Sequence, residues 1–143
     1  MTEAAVGRLA GRVALITGAS RGLGAAAALA YATEGAHCVL VARTVGGLEE
    51  VDDRIKAVGG SATLVPLDIT DGPGIDRLGQ ALFDRFGRLD VLLGNAAILG
   101  TLSPMGHVEP RIFEQVMAGE PASPCLLMDF ARSCLGPRAA REL

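Results

Sequence analysis

The sequence predicts an α/β fold: a partial doubly wound parallel sheet with strand order 3-2-1-4, ending after a fourth strand and the helix behind it. Three observations predict it. Four short apolar runs alternate with stretches of helical spacing, the pattern of successive βαβ units with right-handed crossovers. The first run ends in a glycine-rich turn that opens directly into an alanine-rich segment. The chain has 143 residues, half of them hydrophobic, only 3% aromatic and 19 of them glycine, which suits one small-residue-rich domain with its own core rather than two.

Each element has its own signal. The run 12–17 (RVALIT) is a buried-type strand, and Gly22 to Glu34 is a helix stopped by Gly35. Residues 37–43 (HCVLVAR) form the second strand. The next helix spans about 47–58, with Leu48, Val51, Ile55 and Val58 at three-to-four spacing before Gly59 and Gly60. The third strand, 62–67, contains Pro66, which cannot donate a ladder hydrogen bond and so points to a sheet edge. A helix from about 74 to 86 sets Leu78, Leu82 and Phe86 on one face, and 89–93 (LDVLL) is the fourth strand. A last helix starts near Glu109–Pro110, because proline is tolerated in a first helical turn.

From Gly119 the character changes. Pro121 and Pro124 interrupt the helix begun by Phe113, Val116 and Met117, and the remainder holds two of the three cysteines with no strand signal. The expectation is one unit over residues 1–118 and a divergent tail over 119–143.

Composition excludes several function classes. Sixteen acids against thirteen bases give a net charge of -3 without any run of one sign, so a nucleic-acid partner is not expected. Cys38, Cys125 and Cys134 lack metal-ligand spacing and cannot all pair, which fits reduced thiols. His107 and Glu109 alone make no ligand set. The N-terminus does not read as a leader and no run is long enough to span a membrane, so the expected location is the cytoplasm.

Thr17-Gly18-Ala19-Ser20-Arg21-Gly22-Leu23-Gly24 carries the chemistry. Between a strand and a helix, such glycines let the backbone turn sharply and approach a pyrophosphate, whose charge the helix N-terminus then meets. Position separates this loop from an ordinary tight turn: it lies in the first βα unit of a doubly wound pattern.

At these residues the chain resembles the short-chain dehydrogenase/reductase family, whose T-G-x-x-x-G-x-G motif is matched in full by Thr17 to Gly24. Asp68-Ile69, after the third strand, matches the family's adenine-contacting position. Gly94-Asn95-Ala96-Ala97, after the fourth, is similar to its N-N-A-G motif with changed first and last residues. The resemblance covers residues 8 to about 118. It implies a Rossmann-type fold and a nicotinamide dinucleotide site. In that site Asn95 would hold the central strand, and Ala96 and Ala97 would lie along the nicotinamide ribose. Read without it, Asp68 or Asp71 caps the following helix and Asn95 satisfies loop backbone groups.

An NAD site places an acid near the end of the second strand to bind the ribose 2′-OH, whereas an NADP site accommodates a 2′-phosphate there. Here Ala42 stands at the acidic position with Arg43 after it, and Arg21 adds a guanidinium in the glycine loop. NADP is therefore the preferred cofactor, with NAD as the alternative.

The resemblance also implies a serine and a Tyr-x-x-x-Lys pair for proton transfer, and this sequence contains neither in place. Its one tyrosine, Tyr31, lies in the first helix, and its one lysine is Lys56. Ser103 comes too early, and Ser123 and Ser133 follow no recognisable strand. The family asparagine of the fourth helix is not found near Gly119-Glu120. The set of catalytic residues is thus empty, and the chain as written reads as a catalytically incomplete oxidoreductase. A frameshift or truncation near Ala118 would account for the loss, and the other reading frames of the coding DNA test it. The alternatives are a non-enzymatic NADP-binding module, with residues 125–130 (CLLMDF) docking a partner, and a nonfunctional fragment. A fourth strand that is apolar on both faces also predicts self-association through its exposed edge.

Overall fold

A computed structural model describes residues 7–117 apart from Leu99 and Thr101. The tail 119–143, with Ser123, Ser133, Cys125, Cys134 and the 125–130 segment, lies outside the described residues, as does the N-terminal segment 1–6.

The elements run β1 (Val13–Thr17), α1 (Gly22–Thr33), β2 (His37–Ala42), α2 (Val45–Ala57), β3 (Ser61–Pro66), α3 (Gly72–Phe86), β4 (Val91–Leu93) and α4 (Pro110–Met117). The four strands form one sheet in the order β3-β2-β1-β4, with all neighbours parallel. Pro66 ends the edge strand, where a missing N–H disturbs the ladder least.

Both faces of the two central strands are buried, which is why they read as unbroken apolar runs. Alternate side chains divide between two cores. Ala14, Ile16, Cys38 and Leu40 pack with Ala25, Ala28 and Ala32 of α1 and with Leu48, Val51 and Ile55 of α2. Val13, Leu15, Val39 and Val41 pack with Ile75 and Leu82 of α3 and with Leu89. Tyr31 is partly buried against the first core, as a packing residue. Val58, expected on the buried face of α2, is 46% exposed instead; it sits at the C-cap, where the chain leaves the helix for Gly59 at φ +78°.

β4 is shorter than its apolar run because Asp90 replaces a ladder rung with its side chain. The Asp90 N–H donates to the Val13 carbonyl (2.9 Å), and its carboxylate accepts from the Val13 N–H (2.8 Å), from Arg12 (3.1 Å) and from Arg88. Burial works to raise the Asp90 pKa, but bonds from Arg88, the Val13 N–H and Arg12 hold it below the ordinary value.

At the same end of the sheet His37 ties β2 to β3. Its Nδ1 lies 2.8 Å from Ser61 Oγ and its Nε2 2.8 Å from Thr63 Oγ1, with the Phe86 ring 4.9 Å away. Burial, and then the charge of Arg85, push the His37 pKa below 6.5. A histidine whose folded pKa is depressed keeps its full contribution above its unfolded value and loses it as pH falls through the folded one. The melting temperature is therefore expected to drop as pH falls below about 6.5, starting above the range where most carboxylates titrate. In His37→Gln, melts at pH 7.5 and 5.5 should differ less than in the parent; an equal acid loss in both would rule His37 out.

Candidate functional site

The loop between β1 and α1 needs glycine for different reasons at its three positions. Gly18 has φ +64° and lies against the β4 loop, so that a Cβ there would come within 2.9 Å of the Ala96 Cα. Gly22 has φ +58° with open space around it, so only its backbone conformation demands glycine. Gly24 is helical, but a Cβ would press on the Gly18 carbonyl and lie 2.8 Å from Asn95 Nδ2.

α1 starts after Arg21 without any side chain capping it, and its first turn borders a cavity of about 500 Å³. Orphan amide N–H groups at a helix start require a partner, and an anion is the partner that their dipole favours. The volume is within the ~300–1,000 Å³ span of ligand clefts.

The cavity opens over the carboxyl ends of the strands. Its walls bring together Gly18, Ser20, Arg21, Gly22 and Leu23 of the loop, Arg43 after β2, Asp68 and Ile69 after β3, and Asn95, Ala96 and Ala97 after β4. Two sequence-predicted residues stand behind the wall. Gly24 is buried, and Thr17 is 1% exposed. The Thr17 hydroxyl accepts from the N–H of Asn95 (3.0 Å) and of Ala96 (3.1 Å) and faces the Leu93 carbonyl at 3.4 Å. The Asn95 side chain in turn donates to the carbonyls of Thr17 and Gly18, each at 3.4 Å. Asn95 thus satisfies loop carbonyls and, by the same bonds, pins the β4 loop to β1.

The two candidate roles of Asp68 and Asp71 separate cleanly. Asp71 caps α3, accepting from the Gly74 N–H at 3.0 Å. Asp68 is left on the cavity wall, where it is the one acid among the described lining residues. Hydrogen bonds from Thr70, and more weakly the charge of Arg43, hold its pKa below the ordinary value against some desolvation.

Arg21 and Arg43 are exposed on the cavity rim. The ion pairs among the described residues involve Arg12, Lys56, Arg77 and Arg88, and neither rim arginine. Sequence reasoning missed Thr44, Gly47 and Thr70, which also line the cavity. Thr44 and Gly47 enter because α2 starts at Val45, two residues earlier than its apolar spacing indicates.

Residues 12–132 match the family model of short chain dehydrogenases. The chain belongs to the short-chain dehydrogenase family. The matched span continues past Ala118, the point where the motif resemblance ends. A short chain dehydrogenase/reductase of Colletotrichum higginsianum is 35% identical over 86% of the chain and 46% of its own length. A fatty acyl-CoA reductase of Acinetobacter baylyi is 48% identical over 60% of the chain and 29% of its own length. Among solved structures, a metagenomic short-chain oxidoreductase in complex with NADP superposes with a TM-score of 0.80 at 35% identity, covering 85% of this chain and 55% of that one. The chain therefore spans about half the length, or less, of these relatives. Among the described residues no helix is long and apolar enough to cross a membrane.

Proposed function

We propose that this short-chain dehydrogenase chain supplies the dinucleotide-binding part of an oxidoreductase and prefers NADP(H) to NAD(H). The observation that carries the preference is the rim: two arginines that form no ion pair among the described residues, and no acid at the end of β2. The solved relative with NADP bound supports the same reading.

The residues fit such a group. The uncapped start of α1, with Ser20, Arg21, Gly22 and Leu23, would hold the pyrophosphate. Arg43 and Arg21 would pair with the 2′-phosphate. Asp68 and Ile69 would border the adenine, and Asn95, Ala96 and Ala97 the nicotinamide ribose. A bound nicotinamide supplies hydride transfer to or from a carbonyl or alcohol.

For the proton that accompanies such a transfer, neither a tyrosine nor a lysine stands among the described residues that line the cavity. Tyr31 packs against the α1–α2 core, and Lys56 pairs with Asp52 at 2.6 Å on α2. In this reading the chain binds cofactor without completing the reaction by itself.

Calorimetric titration with NADPH and NADH tests the preference. Arg43→Ala is expected to weaken NADPH about tenfold, the loss of one charge-assisted contact, and to leave NADH unchanged. Equal weakening of both nucleotides would remove Arg43 from the 2′-phosphate. The reading also includes self-association through β4, whose outer edge pairs with no strand among the described residues. Sedimentation velocity of the same samples checks it, and a single monomeric species at all concentrations would exclude it.

A further inference from the structure

The glycine loop and the first turn of α2 touch at one point. A Cβ added at Gly47 would lie 2.8 Å from the Ser20 Cβ and 3.2 Å from the Ser20 carbonyl oxygen, so the two segments approach more closely than a side chain at position 47 allows. The adjacent Gly46, in the same helical turn, has no atom within 4 Å of its own added Cβ. Helix formation explains neither glycine, because the residue is a poor helix former. At position 47 the close approach does.

Both sides of the contact are anchored. On the loop side Ala19 is fully buried, and its N–H donates to the Val41 carbonyl at 3.2 Å. On the helix side Leu48 is fully buried in the core, and its N–H donates to the Thr44 carbonyl at 3.3 Å. A methyl group at position 47 would force the segments apart, from 2.8 Å to at least the 3.4 Å at which ordinary contact begins. Its obstacles are a Cβ and a backbone carbonyl, not the far end of a flexible side chain.

These two segments carry the rim arginines. Arg21 follows Ser20, and Arg43 stands just before the first turn of α2; Ser20, Arg21, Arg43 and Gly47 all line the one cavity. Two guanidiniums share a single phosphate only when both lie at charge-assisted hydrogen-bond distance from it, ~2.7–2.9 Å, which is a narrow range. The Ser20–Gly47 contact fixes the separation of the segments from which they reach.

We propose that Gly47 is a positioning residue that determines cofactor specificity: its missing side chain lets α2 close on Ser20, which brings Arg21 and Arg43 within reach of one 2′-phosphate. This rests on the NADP(H) reading of the cavity, and it adds to that reading a residue that contributes no contact of its own to the nucleotide.

The test titrates NADPH and NADH into the folded parent chain, Gly47→Ala, Gly46→Ala and the double variant Gly47→Ala with Ser20→Gly. The parent is expected to favour NADPH. In Gly47→Ala the ratio of the two affinities should shrink about fivefold, less than the loss of a whole charge-assisted contact because the arginine side chains follow part of the shift. Gly46→Ala makes the same gain in helix propensity without the contact and should keep the parental ratio. In the double variant the nearest obstructing atom is gone, and the ratio should return toward that of the parent. General loosening weakens both nucleotides together and leaves their ratio unchanged. An unchanged ratio in Gly47→Ala, an equal fall in Gly46→Ala or no recovery in the double variant therefore overturns the proposal while the dinucleotide reading stands. A parent that binds both nucleotides equally overturns the NADP(H) preference with it, and failure of the folded parent to bind either overturns the dinucleotide reading as well.

Discussion

Gly24→Ala is expected to abolish measurable NADPH binding and to lower stability by about 2 kcal/mol. The added methyl has nowhere to go. It would press on the Gly18 carbonyl and approach Asn95 Nδ2 to 2.8 Å, and the first of these neighbours is backbone, which cannot rotate aside. Overpacking of this kind costs roughly 1–3 kcal/mol, occasionally more, and the better helix propensity of alanine returns about 1 kcal/mol at most. The same displacement moves the loop whose amides border the cavity, so affinity and stability should fall together. Gly22→Ala provides the contrast. It meets no atom within 4 Å, so its cost is the left-handed backbone alone, about 1–2 kcal/mol. Chemical denaturation and calorimetry of the two variants separate crowding from conformation. If Gly24→Ala bound NADPH like the parent, the close packing of α1 on the loop would not be what shapes the site.

The sheet was legible because burial on both faces leaves a strong mark. The runs in β1 and β2 are apolar at every position that the two cores occupy, and Pro66 marked the edge. The glycine loop was legible for a related reason: each of its glycines answers a backbone requirement that no other residue meets as well. What the sequence hid is carried by polar groups whose partners are distant in the chain. Asp90 reads as a polar residue inside an apolar run, yet its bonds to Val13 and Arg12 define where β4 begins. His37 reads as the first residue of a strand, and only the parallel register that sets it opposite Ser61 reveals its pair of hydroxyl partners. Asp68 and Asp71 are equivalent as letters three apart. They differ in that one faces the first turn of α3 and the other the cavity.

Thr17 is the sharpest case of a residue whose motif position was readable and whose role was not. As the last residue of β1 it belongs to the glycine motif and would be taken for a cofactor contact. It is buried, and its hydroxyl is the junction between β1 and the β4 loop, accepting two backbone N–H bonds and facing a carbonyl. Thr17→Val keeps the shape and removes the acceptor. Two backbone amides in a partly buried loop then lose their partner, and each such loss costs about 1–3 kcal/mol unless water enters. The expected total is about 3 kcal/mol, against about 1 kcal/mol for an ordinary exposed hydroxyl. Because the freed amides belong to Asn95 and Ala96, which line the cavity, NADPH affinity should weaken as well, even though Thr17 itself does not border it. Hydrogen exchange distinguishes this from general loosening. The amides of residues 95 and 96 should lose protection in Thr17→Val while those of β2 and β3 keep theirs. Uniform loss across the sheet would mean that Thr17 contributes to the core as a whole and not to the junction. Serine at position 17 supplies the matching control: it retains the acceptor and loses only a buried methyl, so its cost should be closer to 1 kcal/mol, with residues 95 and 96 still protected.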